Sequence, residues 1–165
     1  MRSIVLIVHN VRSAHNVGAL LRSADGLGIN KVVFSGYTPY PLASDDDRLP
    51  HIAQKTNRAI HKTALGAETS VSWERTDNIL DCLSQLRADG YEIAALEQTA
   101  NSQNLSGFSP PDKLALLVGN EVNGLEKDLL NSISLHLQIP MLGAKESLNV
   151  ASAAAMALYY LRFMA

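Results

Sequence analysis

The chain is short of the residues that would staple a small secreted fold or carry it through a bilayer. It has one cysteine, Cys82, among 165 residues, so no internal disulfide can form. The N-terminus lacks the basic segment, apolar stretch and small-residue cleavage site of a secretory leader. Both features point to a cytoplasmic protein. The most apolar segment, Leu148 to Leu161, is shorter than the roughly 20 residues a membrane span needs and contains Asn149 and Ser152. It reads as a buried helix, with no membrane partner expected. The five histidines and the cysteine show no metal-ligand spacing. Asp45-Asp46-Asp47 reads as the polar start of a helix, where acids complement the dipole, and no metal is expected. No Gly-x-Gly-x-x-Gly follows the first apolar run and no phosphate-loop Gly-Lys-Ser/Thr occurs, which disfavours a dehydrogenase or another common nucleotide-binding α/β protein. Charge of one sign is lacking too: the net charge is −2. Domains that hold nucleic acid by electrostatics alone are usually strongly basic, so any RNA contact must come from a local patch.

What is present is a series of short apolar runs. Ile4 to Val8 is continuous and apolar, the pattern of a strand covered on both faces. Similar runs recur at Lys31 to Ser35, Ser70 to Trp73, Glu92 to Leu96, Leu114 to Val118 and Leu135 to Ile139. Most are separated by stretches with helical spacing, such as Asn78 to Asp89, whose Ile79, Leu80, Leu83 and Leu86 share a face. Strands alternating with helices imply a parallel α/β sheet with helices on both faces. Gly36 to Pro41 and Asn101 to Asp112 read as loops. With no repeat or linker evident, residues 1–165 read as a single domain.

Three constellations stand out. In the first, Asn10 to Asp25, Asn16 sits where an N-cap would, and Val17, Leu20, Leu21 and Ala24 follow as an apolar stripe. Arg22 lies about 140° around the helix from Val17, facing water or a ligand. The plain alternative is a cap and a solvated arginine. In the second, the apolar run Leu114 to Val118 stops at Gly119 and is followed by Asn120, Glu121, Val122, Asn123 and Gly124. This puts Glu121 at the carboxyl end of a strand, the edge where open α/β sheets bind ligands. Turn glycines and an acid favoured by a helix dipole would read the same way. In the third, a strand ends at Ile139-Pro140-Met141, a glycine-containing loop follows, and a helix rich in small residues begins near Ser147. Asn149 is a polar amide in the first turn of an otherwise apolar helix and needs partners if buried.

In this order and spacing, Asn16 to Arg22, Gly119 to Gly124, and Ile139-Pro140-Met141 through Ser147-Leu148-Asn149 resemble the three signature motifs of the SpoU/TrmH family of RNA 2′-O-ribose methyltransferases, within the SPOUT superfamily. The resemblance covers almost the whole chain. It implies a Rossmann-like parallel sheet whose C-terminal portion forms a deep trefoil knot, a topology no periodicity argument could produce. It also implies S-adenosylmethionine as cofactor, held largely through main-chain groups at Leu96 or Glu97, Gly119, Ile139, Ser147 and Leu148. The family is dimeric, so a homodimer is expected, with the first and last helices packing across the two-fold and both subunits completing each site.

Carried over residue by residue, the resemblance makes Arg22 the residue that activates the ribose 2′-hydroxyl and Asn16 a residue that holds the site around it. Glu121, Ser147 and Asn149 would position the arginine, the methyl donor or the ribose. The chemistry is an in-line displacement by an oxygen nucleophile on the methyl carbon of a sulfonium, which demands orientation and loss of one proton. A guanidinium stays protonated in proteins, so stabilising an alkoxide or gripping a phosphate, with proton loss to water or His15, is the alternative role for Arg22. For the RNA itself, His51, Lys55, Arg58 and Lys62 share one face if His51 to Thr63 is helical, with Arg48 and Arg12 as further candidates. The expected substrate is tRNA; rRNA is the alternative. A non-enzymatic RNA-binding or assembly factor that keeps the fold is the reading from a different class.

Overall fold

The computed structural model describes residues 1–164. Seven strands, β1 (Ser3–His9), β2 (Lys31–Ser35), β3 (Trp73–Thr76), β4 (Glu92–Leu96), β5 (Gln103–Asn104), β6 (Lys113–Val118) and β7 (Leu135–Gln138), form one sheet. Their spatial order is β3-β2-β1-β6-β4-β7-β5, and every pairing is parallel. Around them lie α1 (Ala14–Gly26), α2 (Pro50–Ala64), α3 (Ala67–Ser70), α4 (Ile79–Ala88), α5 (Lys127–Asn131) and α6 (Val150–Tyr159), the last running into a π-helical turn at Tyr160–Met164.

The strands are apolar on both faces because both faces are covered. Ile4, Leu6 and Val8 of β1 point into a core shared with Val17, Leu20 and Leu21 of α1, Ile60 of α2 and Ala154 and Leu158 of α6. The alternate residues Val5 and Ile7 point into a second core with Leu83 of α4 and Leu129 of α5. Full burial of such side chains is worth about 1.5–3 kcal/mol each.

Strand register brings separate segments together at the carboxyl edge of the sheet. Val8 pairs with Val118, so the residues just beyond, Asn10 and Asn120, emerge side by side. His9 pairs with Ser35, which sets Gly36 and Tyr37 beside Asn10. The far end of the chain is tied down separately. Arg162, 9% exposed, donates to the carbonyls of Arg2, Leu27 and Gly28, locking the C-terminal turn onto the start of β1 and the end of α1.

Several local expectations need correction. The run Ser70 to Trp73 is not a strand: α3 closes at Ser70 and β3 begins at Trp73. The buried Glu68 carboxylate accepts from the Gly66 N–H and pairs with His61, holding a helical turn where apolar content alone favoured a strand. Asn101 to Asp112 is not wholly loop, since Gln103 and Asn104 pair with β7. Asn16 is not the N-cap of α1; Ser13 is, its hydroxyl accepting from the Asn16 N–H at 3.2 Å. The last helix starts at Val150 rather than near Ser147, with Asn149 as its cap. Asp45 to Asp47 start no helix: α2 begins five residues after Asp45 at Pro50, which sits in its first turn where a missing N–H costs nothing.

Gly18 sets the approach of α1 to α2. A Cβ there would collide with the Ile60 carbonyl oxygen and Thr63 Oγ1, and would lie 2.9 Å from the Ala64 nitrogen. Because two of these three obstacles are backbone, the helices must separate to admit a methyl. Gly18→Ala is expected to destabilise the fold by about 1–3 kcal/mol, read as a lowered midpoint in urea with an unchanged slope.

Candidate active site

The site is built at the carboxyl ends of β1, β6, β4 and β7. The loop after β6 is folded by Asn120, whose Oδ1 accepts the N–H groups of Val122 and Asn123 at 2.8 and 2.9 Å. Its backbone exchanges hydrogen bonds with Gly124, at φ 66°, which returns the chain in a tight turn. Gly119 is required by the same turn: a Cβ there would lie 2.7 Å from Leu125 Cδ2. The turn presents Glu121 to the start of α1. One carboxylate oxygen accepts the Arg12 N–H at 3.0 Å; the other accepts the Ser13 N–H at 3.2 Å and Asn16 Nδ2 at 2.9 Å. Asn16 Oδ1 in turn accepts from Asn149 Nδ2 at 3.1 Å. Asn149 Oδ1 caps α6 by accepting the N–H groups of Ala151 and Ser152.

One polar chain, Glu121 to Asn16 to Asn149, therefore joins segments more than a hundred residues apart. Partial burial of Glu121 favours its neutral form, but donation from the Arg12 N–H and the Asn16 amide outweighs this and holds the carboxyl below its ordinary 4.5. The carboxylate is thus ionised at neutral pH and takes three donors on its two oxygens.

Beside this chain lies a cleft at the ends of β4, β6 and β7. It is lined by Leu96, Glu97, Gly119, Ile139, Ser147 and Leu148, the six positions named from sequence for the cofactor, together with Gln98, Val118, Leu137 and Met141. Its lining mixes apolar side chains with polar ones, among them the Glu97 and Glu121 carboxylates. Glu97 is partly committed: it accepts from the N–H groups of Gln98 and Leu125. A cleft at the carboxyl ends of parallel strands is where open α/β sheets bind ligands, and the carboxylates suit a ligand with a cationic centre.

Not every residue singled out from sequence joins this assembly. Ser147 lines the cleft from an exposed loop. Arg22 is exposed on α1, six residues and about 9 Å along the axis from Asn16, and makes no hydrogen bond or ion pair among the described residues. Lys55, Arg58 and Lys62 are exposed on α2, and Arg12 is exposed beside Glu121. Arg48, a further candidate for RNA contact, is engaged within the chain. Its Nε donates to Asp46 Oδ1 at 2.7 Å, its Nη atoms donate to the carbonyls of Tyr40 and Pro41 at 3.0 Å, and its guanidinium lies 3.6 Å from the Tyr40 ring centroid. Arg48 is a clip for the loop before α2, and the Asp46 carboxyl is held well below the usual range by it.

Sequence reading also missed residues that shape the site. Asn10, at φ 55°, donates to Glu126 and accepts the Tyr37 N–H at 3.1 Å. Asn120 Nδ2 donates to the Asn10 carbonyl at 3.0 Å and to the Tyr37 hydroxyl at 2.8 Å. Buried His9 is hydrogen-bonded to Ser35 and faces Glu126; burial pushes its imidazole below the ordinary 6.5 despite that carboxylate. The available signal was an asparagine within two residues of the end of each of two strands.

The fold and cleft define a class: a parallel α/β protein with its ligand site at the carboxyl edge of the sheet. A model of the SpoU rRNA Methylase family matches residues 3–159, and the chain belongs to that family. It is 31% identical over 160 residues to the 23S rRNA (guanosine(2553)-2′-O)-methyltransferase RlmP of Bacillus subtilis, covering 96% of this chain and 57% of that protein. It is 24% identical over 160 residues to the tRNA (guanosine(18)-2′-O)-methyltransferase of Borreliella burgdorferi, covering 96% of this chain and 65% of that one. Among solved structures, an AdoMet-bound rRNA methyltransferase from Sinorhizobium meliloti superimposes with a TM-score of 0.79 at 25% identity, over 97% of this chain and 56% of that one. The chain thus spans less than two thirds of the length of these relatives.

Two substitutions separate the structural and chemical parts of the polar chain. Asn149→Ala removes the cap of α6 and is expected to cost about 1 kcal/mol of stability, most of which Asn149→Ser restores, since serine also caps but is too short to reach Asn16. Glu121 has a depressed carboxyl, so its contribution is complete above the ordinary carboxylate range and is lost as pH falls through the lower folded value. The stability gap between the native protein and Glu121→Gln, measured by urea unfolding, is expected to close on acidification; a gap that widened would contradict the assignment.

Proposed function

We propose that this chain is a cytoplasmic, S-adenosylmethionine-dependent RNA methyltransferase acting on a ribose 2′-hydroxyl. The observation that carries the reading is the convergence of Asn16, Glu121 and Asn149 into one hydrogen-bonded chain beside a cleft lined by Leu96, Glu97, Gly119, Ile139, Ser147 and Leu148. Membership of the family and the AdoMet bound to the Sinorhizobium meliloti relative support it. When bound, the cofactor supplies a sulfonium methyl as electrophile. The strand ends and the loop at Ser147 and Leu148 hold it, and Glu97 lines the cleft where a positive charge is stabilised. Glu121 and Asn16 fix the start of α1, and Asn149 fixes the start of α6, so the two segments flanking the reacting atoms keep one geometry.

Arg22 acts from a second copy of the chain in this reading. It points to solvent within its own subunit, away from the Asn16 chain. Met156 and Tyr159 on α6 and Phe163 and Met164 beyond it leave an exposed apolar surface, 44–63% accessible, of the kind that associates. The buried alanines of α6, Ala151, Ala154 and Ala157, pack inside the chain, so these larger residues are what the helix offers outward. In the dimer, Arg22 of the partner subunit stabilises the developing 2′-alkoxide or a neighbouring phosphate, and the knot implied by the resemblance runs through the cleft loops. Lys55, Arg58 and Lys62, with Arg12 nearer the cleft, meet RNA phosphates.

The favoured substrate is tRNA, the substrate named for the Borreliella burgdorferi relative; the higher identity to the Bacillus subtilis enzyme makes 23S rRNA the second reading. Incubation with methyl-labelled S-adenosylmethionine and each RNA, followed by nuclease mapping, is expected to place label on a ribose of tRNA. Label on a base, or none on either RNA, would contradict the assignment. Arg22→Lys is expected to lose most activity while S-adenosylmethionine binding by calorimetry stays intact, because a point ammonium lacks the guanidinium fork. Replacing Lys55 and Arg58 together by Ala is expected to weaken RNA binding and to flatten its salt dependence, the slope falling by roughly one for each phosphate that is no longer neutralised.

A further inference from the structure

Tyr37 combines exposure with immobility. Its side chain sits on the loop after β2, and the residue is 59% exposed, yet it is held at both ends. Its N–H donates to Asn10 Oδ1 at 3.1 Å, and its hydroxyl accepts from Asn120 Nδ2 at 2.8 Å. Asn120 is the residue that folds the Glu121 turn, so the ring is tethered directly to the site that positions α1 and α6. Exposed aromatic rings usually gain nothing from such bracing. A ring fixed before contact loses no rotamer freedom on stacking, and every nucleobase has a face to stack on it. A groove runs from Tyr37 past Thr56 on α2 to Arg75, whose guanidinium pairs with Asp77 at 2.7 Å, and Asp47 lines the same groove. A pre-oriented aromatic face that opens onto a groove suits the stacking of an unpaired base.

We infer that Tyr37 is a stacking platform for an unpaired nucleobase adjacent to the target ribose, and that it sets the register of the RNA on the enzyme. The inference rests on the RNA-methyltransferase reading. Tyr37 is a positioning and specificity residue here, touching RNA but not the reacting atoms. Glycine at position 36 belongs to the device, because a Cβ there would collide with the Asn10 amide that holds the Tyr37 backbone.

The test is steady-state methyl transfer to the RNA substrate by the full chain and by Tyr37→Leu and Tyr37→Phe, with S-adenosylmethionine affinity and oligomeric state measured alongside. Loss of one base stack corresponds to about a 5- to 150-fold change in affinity. Tyr37→Leu is expected to raise the KM for RNA within that range, with kcat at saturating RNA and cofactor affinity unchanged. Tyr37→Phe, which keeps the ring and loses only the tether, is expected to recover most of the loss. An unchanged RNA KM in Tyr37→Leu, equal impairment of both variants, or an altered oligomeric state would overturn the stacking role while leaving the methyltransferase reading standing. A native enzyme that methylates no RNA would overturn both.

Discussion

The Glu121 carboxylate is the contact on which the rest of the site depends. It accepts two backbone N–H groups and one amide from the beginning of α1, and through Asn16 it reaches the cap of α6. Asn16, on α1, is the side chain that touches both the Glu121 turn and the α6 cap, and Glu121 is what holds it in place. An ionised carboxylate gives shorter and stronger hydrogen bonds than a neutral acceptor, which suits a part that must hold the ends of two helices against thermal motion. Its depressed pKa follows from the same donors and keeps it ionised at neutral pH.

The sheet makes that contact possible. Parallel pairing in the order β2-β1-β6-β4-β7 brings the carboxyl ends of five strands to one edge, and the register of β1 with β6 sets Asn10 beside Asn120. The C-terminal lock by Arg162 acts at the opposite end of β1, where it ties Arg2 to the last turn. Strength is thus placed at the amino edge and chemistry at the carboxyl edge, as in other open α/β sheets.

Much of this was legible in the sequence. The β1, β2, β4 and β6 runs were clear because strands covered on both faces leave an uninterrupted apolar signature, and α4 was clear because its apolar spacing fits one helical face. The three motif segments were visible because each pairs a strand end or helix start with a polar residue that stands out against its apolar neighbours. What remained hidden was decided by side-chain contacts with no period. Ser13 displaced Asn16 as cap because Asn16 is engaged by Glu121, which lies 105 residues away in sequence. Arg48 looked like a free cation until the Tyr40 and Pro41 carbonyls were seen to take its guanidinium. The role of Asn120 could not be read at all, because it depends on where the strands end relative to one another in space.

The most direct test of this account is a double-mutant cycle between Glu121→Gln and Asn16→Ala, read in kcat for methyl transfer under saturating substrates. If the carboxylate works by holding Asn16 and the start of α1, the double variant should lose little more than the more damaged single variant, a coupling of about 1–3 kcal/mol. Losses that multiply, with no coupling, would mean that the two residues act separately and that the Glu121 contact is not what assembles the site.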